Sequence, residues 1–387
     1  MVRLNYEGAV CLAPMVRVGS FPFRLTCLDY GADIVYTEEI IDKRLLVAQR
    51  VENPVLGTVD MVDKSGASTC FRSSRAQEGG RLVLQLGTAD GQLALKAALQ
   101  VADVIDAVDV NMGCPKPFST TGGMGAALLD TPDVAAEILR TLRRGMPETV
   151  GVSCKVRIQR TPEATVDFCR QMESCGIDAI AVHGRLRTHR PTDPALWDEI
   201  RPVCESLRIP VLANGDVFGH HDVGSICERT GARGVLVARG AMWNPSIFRA
   251  AKDGGGMDPG DVVRAKFLRY AVDTDNHLTN TKFCLNTIGG SLSSNRSLAA
   301  PDGRFCTLAK NHAQLCAWYG VDPSAQDLPT DFVSDAYRAH AAAHGEGKLE
   351  EAEGGKGGEG DASHRRTADG AALGVDAPPD LKRARAH

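Results

Sequence analysis

The chain has 387 residues, 43% hydrophobic and 24% charged, which is ordinary globular usage and excludes wholesale disorder. Its 44 basic and 48 acidic residues leave a net charge of −4, and the rest stays near neutral when residues 345–387 are set aside. Bulk charge therefore announces no nucleic-acid partner, and any such partner must be met by local patches. No apolar run approaches the roughly 18 residues that span a bilayer. The N-terminus has neither a signal-type apolar core nor an Arg-rich presequence pattern. The expectation is a cytoplasmic, monomeric enzyme with no membrane partner. Twelve cysteines are scattered without a CxxC pair or zinc spacing, so free thiols and no metal are expected.

Eight short apolar runs follow in order: AVCLAP (9–14), DIVYTE (33–38), LVLQLG (82–87), AVDVN (107–111), VSCKV (152–156), AIAVHG (179–184), PVLANG (210–215) and GVLVARG (234–240). Each is bounded by Gly, Pro, Asp or Asn, as strands buried on both faces should be. Helical segments lie between most of them. Residues 90–104 have Asp90 placed to cap, and residues 131–144 and 161–175 open Thr-Pro-Asp and Thr-Pro-Glu, a cap followed by Pro at the first helical position. Eight β-α repeats in about 240 residues predict an α/β chain folded as a (β/α)8 TIM barrel over residues 1–252. An open doubly wound sheet is the runner-up, but no G-x-G-x-x-G follows the first strand. Within residues 39–81, TVDMV and STCFR predict an accessory hairpin.

Beyond the barrel, Val262, Val263, Phe267, Tyr270 and Ala271, then Leu308, His312, Leu315, Cys316 and Tyr319, have helical spacing and predict a helical domain over 258–344. The segment 289–304 breaks that pattern and reads as an insertion. Residues 345–387 hold nine glycines and no aromatic residue, and are expected to be a disordered, low-complexity tail. Its KRAR run (382–385) has the composition of a nuclear signal, although four basic residues in such a tail are more often incidental.

Barrels of this kind build their sites at the C-terminal ends of the strands. Those ends carry Met15, Glu38, Gln85, Asn111, Lys155, His183, Asn214, Asp216 and Arg239. Polar groups in buried strands cost a few kcal/mol each unless paired, so their convergence points to a ligand site. The loops NGD (214–216) and ARG (238–240) suit a phosphate, with Gly215 and Gly240 permitting close backbone approach and Arg239 supplying a forked donor. Gln85 suits an amide-like ring edge and Lys155 a negative charge on a reduced ring, which together suggest FMN. Cys114, in the Gly-Cys-Pro turn of VNMGCPKPFSTTGGMGAALL (110–129), reads as functional: a thiol with a pKa near 8.5 is protonated at neutral pH and can act as an acid.

LAPMVRVGSFPFR (12–24), ADIVYTEEI (32–40), VNMGCPKPFSTTGGMGAAL (110–128), CKVRI (154–158), IAVHGR (180–185), ANGD (213–216) and VARGAMWNPSIF (237–248) resemble the tRNA-dihydrouridine synthases. The likeness covers about residues 5–285, in order. DYGADIVYTEEIIDKRL and AMWNPSIF are similar to the eukaryotic branch that acts on the D-loop uridine at tRNA position 20. The resemblance implies an FMN barrel followed by a helical tRNA-binding domain, with NADPH (or NADH) as reductant. Hydride then passes from reduced FMN to C6 of the uracil. It further implies Cys114 as the acid at C5, and Pro14, Met15, Val16, Gln85, Lys155, His183, Asn214, Gly215, Asp216, Ala238 and Arg239 as flavin contacts. Asn111 matches a contact to the target base. Some members of that branch carry a double-stranded-RNA-binding domain, whereas here a low-complexity tail follows. tRNA phosphates are therefore expected to meet Arg185, Arg187 and Arg190 beside the barrel mouth, and Arg264, Lys266, Arg269 and Lys282 in the helical part. Two other functions fit the same features less well: an FMN barrel dehydrogenase of a free pyrimidine, and a non-catalytic RNA-binding scaffold.

Overall fold

The computed structural model describes residues 3–66, 68–249, 256–290 and 303–322. All eight apolar runs form strands: β1 (Val10–Leu12) and β2 (Ile34–Tyr36), then β7 (Leu82–Gly87), β8 (Ala107–Met112), β9 (Gly151–Arg157), β10 (Ala179–His183), β11 (Val211–Asn214) and β12 (Gly234–Val237). Four accessory strands intervene, β3 (Ile40–Ile41), β4 (Gln49–Asn53), β5 (Thr58–Val62) and β6 (Thr69–Ser73). The eight pair in parallel in the order β2-β1-β12-β11-β10-β9-β8-β7, and β7 pairs back with β2, closing a (β/α)8 barrel. Alternate residues point to opposite faces of a strand. Cys11, Ala13, Ile34, Tyr36, Val83 and Ala107 belong to one apolar cluster inside the barrel. Val35, Leu84, Val108, Val110 and Val152 join the larger cluster under the helices.

The register sets the inner polar layer. Gln85 lies opposite Asp109, Asp109 opposite Ser153, Asn111 opposite Lys155, and Arg157 opposite His183, which pairs with Asn214. Helix starts follow the chemistry read from sequence. Asp90 Oδ1 accepts from the backbone N–H of Gln92 and Leu93 at 2.7 and 3.0 Å, and Thr161 Oγ1 from Ala164 at 3.2 Å. Each such cap stabilises its helix by about 1 kcal/mol.

The expected hairpin is a three-stranded antiparallel sheet, β4-β5-β6. The extra strand, QRVEN, has polar residues at four of its five positions, so apolar patterning does not reveal it. Arg72 of β6 forks onto buried Asp60 at 2.7 and 2.8 Å and donates to the Thr274 carbonyl, tying this sheet to the helical region.

Beyond the barrel lie helices at Gly260–Asp273, Leu278–Thr287, Gly303–Leu308 and His312–Tyr319. The first buries Val263, Phe267, Leu268 and Ala271, with Phe267 packed on Phe23 at 5.8 Å between ring centroids. Val262, expected on the apolar face, is exposed, because the buried stripe runs through 263, 264, 267, 268 and 271. Most of the expected insertion at 289–304, residues 323–344 and the whole expected tail at 345–387 lie outside the described residues. Among the described residues, no helix is long and apolar enough to cross a membrane.

Candidate active site

A chain of oriented hydrogen bonds runs from the barrel interior to Cys114. Asp109, fully buried, accepts from Ser153 Oγ at 2.7 Å and from Gln85 Nε2 at 2.8 Å. Because Gln85 spends its amide N–H on Asp109, its Oε1 faces Asn111 and accepts from Asn111 Nδ2 at 3.1 Å. Asn111 Oδ1 is thereby turned toward the turn after β8, where it accepts from the backbone N–H of Gly113 at 3.0 Å and of Cys114 at 2.9 Å. A carboxylate deep in the barrel thus sets the orientation of two amides and the place of the cysteine. Burial pushes the Asp109 carboxyl up to about 6, opposed by the hydrogen bonds from Gln85 and Ser153 and by the Lys155 charge.

Cations dominate the opposite side. Lys155 is partly buried; desolvation and then the Arg157 charge bring it down to about 8, with Asp109 and Cys114 acting in the other direction. Burial, with the charges of Lys155, Arg157, Arg185 and Arg239, holds His183 well below its usual range, so its imidazole is neutral. Asp216, in the left-handed region at φ 54°, is the carboxylate that gathers this side. It accepts from Arg185, from Arg239 at 2.6 Å and from the Ala195 N–H at 2.7 Å. Arg239 also lies 5.1 Å over the Phe218 ring, which stacks on Trp243 at 5.2 Å. Gly215 has φ 126°, and a Cβ there would stand 2.7 Å from Ala195 Cβ and 3.2 Å from the His183 ring. That backbone is open only because the residue is glycine. Asn214 donates to the Leu236 carbonyl at 2.8 Å, and Ala238 precedes the short helix Arg239–Trp243.

Pro14, Met15 and Val16 form the turn after β1, in which the Met15 carbonyl accepts from Val18 and Gly19. Arg17 next to them is left-handed at φ 68°. Its N–H donates to Glu38 at 2.9 Å, its carbonyl accepts from Asn280 at 2.6 Å, and its guanidinium lies 5.0 Å over Phe283. The turn is thus latched to the helical region.

The expected phosphate-contact cations fare differently. Arg264 is 7% exposed and donates to the carbonyls of Leu285 and Ile288, so it closes the end of the helix Leu278–Thr287 and cannot reach RNA. This corrects the sequence expectation: a charge at helical spacing looks solvated until its register is known. Arg185 is likewise 4% exposed and committed to Asp216 and the Asp193 carbonyl, so it lines the pocket rather than the surface. Lys266 pairs with Asp29, Arg269 with Asp273, Lys282 with the Ala309 carbonyl and Arg187 with Asp130. Arg190 stands on the exposed turn that follows, its N–H donating to Asp193.

Sequence reasoning missed four groups that the structure brings into the site. Asp109 and Ser153 share a layer with Gln85. Arg157 donates to the Gly113 carbonyl at 2.7 Å and so holds the turn of Cys114 from the other side. Glu39, rather than its neighbour Glu38, accepts from Ser119 Oγ at 3.0 Å beside Cys114. Period-2 alternation from Asn111 and Lys155 marks Asp109, Ser153 and Arg157; no comparable signal separates Glu39 from Glu38.

The family described as dihydrouridine synthase (Dus) matches residues 11–288. A tRNA-dihydrouridine(20) synthase [NAD(P)+] of Schizosaccharomyces pombe is 40% identical over 74% of this chain and 61% of its own length. The Saccharomyces cerevisiae protein of the same name is 36% identical over 74% of this chain and 78% of its own length. A tRNA-dihydrouridine(20a/20b) synthase [NAD(P)+] of S. pombe is 30% identical over 76% and 84%. The match thus spans about three fifths of the fission-yeast relative.

Proposed function

Since the chain belongs to the dihydrouridine synthase family, we propose that it reduces one uridine of tRNA, the D-loop position 20, to 5,6-dihydrouridine with NAD(P)H as reductant and FMN as bound cofactor. The observation that carries this reading is the site's asymmetry. A partly exposed cysteine is held by Asn111 at one side of the pocket, and a cluster of Lys155, Arg157, Arg185 and Arg239 faces it with one carboxylate, Asp216, among them.

That donor set fits FMN. The cations outnumber the carboxylate, which suits a phosphate, and Gly215 leaves room for close backbone approach. Arg239 and Arg185 would hold the phosphate end with the backbone of Asn214–Asp216 and Ala238. Gln85, Lys155 and His183, with the turn Pro14–Val16, would hold the ring. Bound there, FMN would supply hydride chemistry for the reduction of the uracil. The chain's own residues do the rest. Lys155, charged below about pH 8, supplies positive potential where negative charge develops on the ring systems. Asn111 has a second amide N–H to offer a carbonyl of the base, since its first is spent on Gln85. Cys114 delivers the proton to C5. Burial raises its thiol above the ordinary range, which keeps it protonated and fit to be an acid. A uracil in folded tRNA is enclosed, so the base must turn out of its stack to reach this thiol.

The test is incubation of purified enzyme and NADPH with tRNA lacking dihydrouridine, read by mass spectrometry of nuclease fragments. A gain of two hydrogens at one D-loop uridine is expected. No gain on tRNA, with turnover on free uracil or orotate instead, would overturn the reading.

A further inference from the structure

We propose that Glu39 is a positioning residue for Cys114: it holds the cysteine as the neutral thiol and, directly or through the Ser119 hydroxyl, returns the proton that the cysteine gives away. The reaction this serves is the one proposed above, but the state of the thiol is a property of the free protein.

The geometry begins with two glycines. Glu39 lies between β2 and β3, and the pairing of Ile40 with Leu86 pins it against the end of β7. There Gly87 leaves a notch: a Cβ on it would stand 2.6 Å from Glu39 Oε1 and 3.2 Å from its Cγ. On the far side Gly125, at φ 59°, would drive a Cβ to 2.4 Å from Ser119 Oγ and 3.2 Å from Cys114 Cβ. Three side chains, Glu39, Ser119 and Cys114, therefore occupy one space that two missing side chains keep open. Ser119 is fully buried and donates to Glu39 Oε1 at 3.0 Å. The strand of chain carrying both is tied back on itself, with the Cys114 carbonyl accepting from Ala126 N–H at 2.9 Å and the Ser119 carbonyl from Met124 N–H at 3.1 Å. The adjacent glutamate has another task, since Glu38 accepts from the Arg17 N–H and holds the β1 turn.

The charges around the thiol are divided. Glu39 faces it from the β2 side and, after burial, is the largest influence raising its pKa. The Lys116 N–H and Ser119 act to lower it. Lys155 and Arg157 of β9 are the cations whose charge it feels. Burial raises the Glu39 carboxyl too, with Ser119 and Cys114 pulling it back. A thiolate beside a carboxylate is unfavourable. When the S–H bond breaks and a C5–H bond forms on the reduced uracil, the electron pair left on sulfur makes that unfavourable pair. The Glu39 carboxylate, which is partly exposed, then takes up a proton from water and passes it to the thiolate, directly or through the Ser119 hydroxyl. Cys114 ends the cycle as the thiol and Glu39 as the carboxylate.

The test uses the full chain without substrate. Alkylation of Cys114 by iodoacetamide, followed by peptide mass spectrometry from pH 6.5 to 10.5, gives the thiol's titration midpoint, with Cys114→Ala as background. Glu39→Gln removes the charge at constant shape, so the midpoint should fall by about one unit and alkylation at pH 8 should rise about tenfold. Ser119→Ala should move it slightly the other way. The alkaline limb of dihydrouridine formation should shift down with the midpoint in Glu39→Gln, which a merely structural role would not produce. Glu39→Asp, which keeps the charge, should restore most of the wild-type midpoint and serves if Glu39→Gln does not fold. An unchanged midpoint in Glu39→Gln, or one lowered as much by Glu39→Asp, overturns the proposal. Failure of the wild type to make dihydrouridine would sink the functional reading and leave the alkylation result to decide this one.

Discussion

Arg264 separates a structural cation from an RNA-binding one. Its Nε donates to the Leu285 carbonyl at 3.1 Å and a terminal nitrogen donates to Ile288. Both acceptors stand at the end of the helix Leu278–Thr287, where carbonyls lack partners within the helix. Hydrogen bonds to a charged group contribute about 1.5–3 kcal/mol each, and releasing a buried guanidinium to water returns part of that. Arg264→Ala should therefore cost about 3 kcal/mol, or about 6 °C at about 2 °C per kcal/mol for a domain of this size. Arg264→Lys, which cannot fork onto two carbonyls, should lose about half as much. The assay is thermal unfolding followed by intrinsic fluorescence, with tRNA binding measured across a salt series. The structural account expects the melting loss and an unchanged salt slope. A phosphate-binding arginine would instead leave the melting temperature alone and lower the slope by about 0.9. That second pattern would refute the reasoning.

Three further outcomes follow from the site. The Asp109 carboxyl is raised in the folded protein, so its contribution to stability is full below about pH 4 and falls away as pH rises to about 6. Asp109→Asn should remove that pH dependence relative to wild type in urea unfolding, and identical pH profiles would contradict the assignment. Lys155→Ala and Arg239→Ala should purify largely colourless, and full flavin absorbance in both would remove them from the cofactor site. Cys114→Ala should retain flavin absorbance while dihydrouridine formation drops about 10²–10⁴-fold, the usual worth of a positioned acid; near wild-type product formation would exclude the role.

The barrel was legible because parallel strands buried on both faces leave continuous apolar runs, and all eight runs named from sequence are strands. Strand β4 was not, because four of its five residues are polar and only pairing with β5 makes it a strand. At the site, Asn111 could be read from the end of its strand and Cys114 from the Gly-Cys-Pro turn, but the reason for their placement could not. It lies in Asp109 and Ser153, brought together across neighbouring strands 44 residues apart. Arg264 and Lys282 were expected to meet tRNA phosphates, since helical spacing alone does not tell a buried register from an exposed one. Carbonyl acceptors at Leu285, Ile288 and Ala309 decide them. Glu38 and Glu39 are indistinguishable in the string and separate only when Gly87 and Gly125 open space for one of them.

The central claim, that Cys114 protonates C5 of a tRNA uridine while C6 receives hydrogen from the reductant, is tested most directly by isotope placement. Enzyme, NADPH and unmodified tRNA are combined in heavy water, and the product nucleoside is examined by mass spectrometry and NMR. The account predicts solvent deuterium at C5 in the wild type, with product largely lost in Cys114→Ala. Product without solvent deuterium at C5, or an undiminished yield of product from Cys114→Ala, would contradict it.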